Sequence, residues 1–150
     1  MADLDPVLRR LIAAAEEGDH TPGLTLLLGS SVVQGVLVSR KEFDHHVYNL
    51  AKAASMKDVR GRLWDSKQDL EKAAIGEANN QVSRFGSAEG EVPEDALRLK
   101  NVSVASFTGF ALEMPLIRVS PSHLGAWWAG SFNVRNPSGS SAGVGIGFAF

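Results

Sequence analysis

Residues 24–43 read LTLLLGSSVVQGVLVSRKEF. Two runs rich in leucine and valine are broken at Gly29-Ser30-Ser31, where glycine can take the positive φ that short hairpin turns demand. The stretch therefore predicts a β-hairpin, with Gly29-Ser30-Ser31 as its turn. Gly35 falls inside the second strand, where it weakens propensity and marks a bulge, a sharp bend or another backbone passing close by. A strongly bent sheet, of the kind that closes into a small barrel, is the reading these residues suggest.

Upstream, Asp5-Pro6 is a helix-start signal, since an aspartate accepts orphan amide hydrogens and the fixed φ of proline suits the first turn. Val7, Leu8, Leu11, Ile12 and Ala15 then recur at three- and four-residue steps, which predicts one amphipathic helix closed by Gly18. Downstream, from about 44 to 80, the apolar period becomes helical again. Val47, Leu50, Ala51, Ala54, Val59 and Leu63 form a stripe that Leu70, Ala74 and Ile75 extend. One long helix or two shorter ones are expected there, with Gly61 and Gly76 as the places for a break. Residues 79–96, rich in Asn, Ser, Gly and Glu, read as an exposed loop.

Strands return at LRLKNVSV, 97–104, where Leu97 and Leu99 share one parity and Val102 and Val104 the other. A bulge near Asn101 accounts for that switch. Residues 114–132 carry a further apolar strand, a turn around Pro121-Ser122, and then Leu124-Gly125-Ala126-Trp127-Trp128 leading to Phe132. The glycine-rich tail, from about 136 to 150, ends with Val144, Ile146, Phe148 and Phe150 at a strict two-residue step.

The chain has 150 residues, which is the size of one domain with one core. Its fifteen basic and seventeen acidic side chains give a formal net charge of -2, so no overall field draws in nucleic acid or an anionic membrane. Cysteine is absent, which leaves no disulfide, thiolate ligand or thiol nucleophile and fits a reducing compartment. The acidic start and the lack of a ~20-residue apolar run point to a cytoplasmic protein with no membrane partner.

Chemistry-bearing patterns are sparse. His45 and His46 are adjacent, whereas a helical zinc site needs histidines four apart, so both read as a solvated helix start. His20 and His123 read as loop residues. The run Gly139-Ser140-Ser141-Ala142-Gly143-Val144-Gly145 lacks the lysine and following helix of a phosphate loop, and no serine sits in a nucleophile signature. No catalytic residue, cofactor or metal is assigned, and the protein is read as a binder with no enzymatic role. The candidate partner-binding residues are Trp127, Trp128, Phe132, Val144, Ile146, Phe148 and Phe150. Consecutive tryptophans on a strand face opposite sides, so one of the pair is expected to leave the core and meet a partner.

Several of these pieces resemble the gas vesicle accessory protein U family. They are Gly23-Leu24-Thr25-Leu26, Val33-Gln34-Gly35-Val36-Leu37-Val38-Ser39, Leu99-Lys100-Asn101-Val102 and Ile117-Arg118-Val119-Ser120, within residues 5–132. Leu116-Ile117 and His123-Leu124-Gly125 depart from that family's pattern, and the tail beyond 136 lies outside it. The resemblance implies an accessory protein that binds the gas vesicle shell or other gas vesicle proteins and affects vesicle assembly or clustering. A helix followed by bent strands also resembles the Sm-like barrel, whose members form rings and bind RNA. The Asp-x-aromatic-x-Asn strand end of that group is missing at Ser39-Arg40-Lys41-Glu42-Phe43. The expected architecture is thus α+β, with an N-terminal helix, a strongly bent antiparallel sheet or small Sm-like barrel, and a helical insertion. A homo-oligomer is expected, held by strand edges or the aromatic tail; RNA is the second choice of partner.

Overall fold

A computed structural model describes residues 4–58 and 67–130. They fall into two compact units, residues 4–39 with 92–130 and residues 40–91. The architecture is α+β: three helices, two short 3-10 turns and one five-stranded antiparallel sheet.

In the first unit, helix α1 (Pro6–Glu16) begins where the carboxylate of Asp5 accepts the amides of Val7 at 2.8 Å and Leu8 at 3.3 Å. It ends as Gly18 turns to φ 82°, a left-handed value that costs glycine little. Strands β1 (Gly23–Leu28) and β2 (Ser31–Leu37) form the hairpin that residues 24–43 predict, turning at Gly29-Ser30. β3 (Leu97–Ser106) and β4 (Ala111–Val119) form a second hairpin. After a 3-10 turn at Pro121–His123, β5 (Ala126–Ala129) pairs with β1. The strand order is β4-β3-β2-β1-β5.

Among the described residues β4 pairs only with β3 and β5 only with β1, so the sheet is not closed into a barrel. Closure needs the first and last strands of that order to meet, and no local pattern in the sequence specifies it. The bulge does fall where the parity switch puts it. Between Gln34 and Val36 β2 passes one residue, while β3 passes two between Ser103 and Lys100. The extra residue is Asn101, at φ 52°, a left-handed conformation that asparagine tolerates. Opposite it, a Cβ on Gly35 would stand 3.0 Å from the Leu99 Cβ and 3.1 Å from the Lys100 carbonyl oxygen. The glycine in the second strand is there because β3 crosses against it.

One sheet face and α1 enclose the core. Leu8, Ile12 and Ala15 of the helix are buried with Leu24, Leu26, Val33, Leu37, Leu97, Leu99, Val102 and Val119. Several are entirely buried, and each such leucine contributes roughly 1.5–3 kcal/mol from leaving water.

The second unit is the helical insertion between β2 and β3. It is longer than the 44–80 of the sequence reading, with α2 spanning Arg40–Asp58 and α3 spanning Lys67–Phe85. Residues 79–85, expected as loop, complete the last two turns of α3. Their polar side chains suit the solvated side of a helix whose buried positions are Ala74 and Ala78. Gly76 lies inside α3 without breaking it, whereas Gly61, Val59 and Leu63 lie outside the described residues. Asp44 on α2 accepts the Ser87 amide at 2.9 Å just past the end of α3, and an Arg40 guanidinium nitrogen donates to the Glu91 carbonyl. Those bonds tie the two ends of the unit together.

Candidate interaction surface

Cross-strand partners share a sheet face, so the register determines which way each side chain points. Trp127, Leu26, Val33, Val104 and Leu112 form one row across all five strands, and every member is apolar. One residue along, Trp128, Thr25, Gln34, Ser103 and Glu113 form the next row, on the opposite face. The two tryptophans are therefore divided by the pleat. Trp127 packs half-buried against the core, while Trp128 stays 61% exposed. This is the split that two consecutive aromatics on a strand predict. Thr25, in the middle of the polar row, is buried and donates its hydroxyl to the Gly130 carbonyl at 2.8 Å. That bond fixes the end of β5 and with it the strand that displays Trp128.

The remaining candidates, Phe132, Val144, Ile146, Phe148 and Phe150, lie outside the described residues. A second aromatic feature, which the sequence reading passed over, caps the β3–β4 hairpin. Phe107 and Phe110 flank Thr108-Gly109 and are 70% and 61% exposed. The signal was present as Ser-Phe-Thr-Gly-Phe, two large apolar residues astride a turn-forming pair. No ionisable residue occurs from Asn101 to Leu112, nor from Leu24 to Ser39 in the neighbouring hairpin. The tip's own polar groups are largely paired within the protein. The Ser106 amide donates to the Phe110 carbonyl, Phe107 to Ser30 and Gly109 to Ser106, while the hydroxyls of Ser106 and Thr108 stand 2.6 Å apart. Covering this tip therefore strips few hydrogen bonds from water.

Lower on the same hairpin, Asn101, Val102, Ser103, Glu113, Met114 and Pro115 line an open hollow of about 420 Å³. In the helical unit a comparable hollow of about 440 Å³ is lined by Val47, Leu50, Ala51 and Ala54 of α2 with Phe85 of α3. The apolar stripe predicted for this helix thus faces a depression, leaving Leu50 exposed.

His45 and His46 stand in the second turn of α2, a turn further in than a helix start. His45 Nε2 lies 3.1 Å from the Asn49 amide nitrogen and His46 Nε2 lies 3.5 Å from the Glu42 carboxylate. Among the described residues no three His, Asp or Glu side chains gather as a metal-ion site would require. Among them, too, no helix is long and apolar enough to cross a membrane. No family model and no curated protein matches the chain.

Proposed function

We propose that this protein is a non-enzymatic binding and assembly module that associates with gas vesicles, through their shell or other gas vesicle proteins, and influences assembly or clustering. The observation that carries the reading is Trp128, held out from an edge strand whose other tryptophan anchors the core. Exposed aromatic side chains, tryptophan above all, are what the centre of a protein interface is made of. The segments that resemble the gas vesicle accessory family support it as well, since they fall on β1, β2, β3 and β4 of one sheet.

The test is flotation of isolated gas vesicles with the purified full chain. The protein should rise with the vesicles, and Trp128→Ser should weaken the association roughly tenfold or more, the size of a contact worth about 1.4 kcal/mol. Protein that stays in the subnatant at every concentration would refute the vesicle assignment.

A second reading, an Sm-like RNA-binding module, is supported by one arrangement. Arg118 on β4 is exposed and Lys100 on β3, diagonally across on the same face, is half-buried, whereas Arg98, directly opposite Arg118, is buried and out of a ligand's reach. RNA bound at these cations would lose affinity steeply as salt rises, through counterion release, whereas docking at Trp128 would not.

A further inference from the structure

The sheet face that carries Trp128 is open at its margins and closed in its middle. Trp128 on β5 and Glu113 on β4 are exposed, whereas Thr25, Val32, Gln34 and Ala105, on the three strands between them, keep 8% of their surface or less. An antiparallel sheet that turns one face to water leaves the middle of that face wet. Here the middle is covered. The helix of the first unit lies on the other side, since Leu8, Ile12 and Ala15 of α1 pack among the core leucines. The 3-10 turn at Pro93–Asp95 packs against α1, and the one at Pro121–His123 leads into Leu124, also on the core side.

We infer that residues 131–150 of the same chain are this cover, seated over β1 and β2 with Val144, Ile146, Phe148 and Phe150 turned to the sheet. The chain leaves β5 at the right place. Gly130 takes φ 125°, a value open to glycine and strained for other residues. Its carbonyl accepts the hydroxyl of Thr25, one of the closed residues. Gly130 is itself buried, although β5 is an edge strand. An extended chain advances ~3.3 Å per residue and strands stand ~4.8 Å apart, so half of 131–150 suffices to cross the sheet.

The composition of the segment suits that position. No charged side chain follows Arg135, so seating it takes no charge of its own out of water. Val144, Ile146, Phe148 and Phe150 alternate with Gly143, Gly145, Gly147 and Ala149, so in an extended segment every large side chain falls on one side. Leu27, Val32 and Val36 offer that side apolar partners on the sheet. Left in water, an uncharged alternating segment of this kind pairs with other chains and aggregates. Seated, it withdraws its four large residues from partners and leaves Trp128 as the exposed aromatic at the margin of the face. The inference does not depend on the gas vesicle reading, since its test uses the purified protein alone.

Because the chain has no cysteine, a single engineered thiol reports local access. Val32→Cys and Val33→Cys place it on adjacent residues of β2, one on the covered face and one in the core. Labelling by an aromatic disulfide reagent is timed in the full chain with and without Phe148→Ser/Phe150→Ser. The tail change should speed labelling at position 32 at least roughly tenfold and leave position 33 as slow as before. An unchanged rate at position 32 would overturn the inference, because another part of the chain would then be the cover. Equal acceleration at both positions would also overturn it, since the tail would then hold the whole fold and no one face. A second measurement leaves the apolar row intact: a nitroxide attached through Ser141→Cys should broaden the amide NMR signals of β1 and β2, and sharp signals there would contradict the seating. The broadening should survive about tenfold dilution. Its loss on dilution would assign the cover to a second copy and refute the claim for the chain's own tail.

Discussion

Two rows of side chains cross the same sheet one residue apart and face opposite ways. The row Trp127, Leu26, Val33, Val104 and Leu112 is apolar on every strand, whereas Trp128, Thr25, Gln34, Ser103 and Glu113 is polar except at its tryptophan end. The backbone under both rows is the same ladder of hydrogen bonds, so the difference lies in what each face meets. The first row is closed over by α1 and the core leucines from Trp127 to Val104, and only Leu112 at its β4 end is exposed. The second buries Thr25 and Gln34 in its middle and leaves Trp128 and Glu113 exposed at its ends. Stability should therefore follow the first row, and contact with other molecules the exposed end of the second.

The sharpest way to break this contrast is to cut into the apolar row. Leu26→Ala removes a fully buried side chain from the centre of the core and should cost about 2–5 kcal/mol in a urea titration. A loss under about 1 kcal/mol would mean that the row is not the structural centre. A smaller effect is expected at the bend. Gly35→Ala places a methyl 3.0–3.2 Å from the Leu99 and Val102 side chains and the Lys100 carbonyl. Overpacking of that kind should cost about 1–3 kcal/mol, and an unchanged urea midpoint would show that β3 shifts freely there.

Much of this arrangement is legible in the sequence because it depends on local rules. Asp5-Pro6 and Gly18 bound α1, Gly29-Ser30 turns the first hairpin, and the parity change around Asn101 announces the bulge. The two tryptophans disclose their own division, since a strand alternates. What was not legible depends on distant partners or on weak local preference. Barrel closure would require β4 and β5, neighbours in sequence but at opposite edges of the sheet, to meet, which depends on the curvature of all five strands, and only the assembled sheet shows that they do not. The last turns of α3 run through Asn79, Asn80 and Ser83, residues that favour helix weakly and read as loop until the caps at Asp44 and Gly86 are seen. Phe107 and Phe110 were passed over because an aromatic beside a strand is usually core; their exposure follows from the tightness of the Thr108-Gly109 turn.

The smallest expected change in stability belongs to Trp128, and it is also the most direct test of the central claim that folding and association rest on opposite faces of this sheet. Thermal melts and sedimentation should be measured together for wild type, Leu26→Ala and Trp128→Ser. The account predicts that Trp128→Ser melts like wild type, within about 0.5 kcal/mol, while its association with vesicles or other copies weakens. Leu26→Ala should lose stability yet retain association at temperatures where it remains folded. A Trp128→Ser protein whose melt collapses while its association is unchanged would contradict the claim outright.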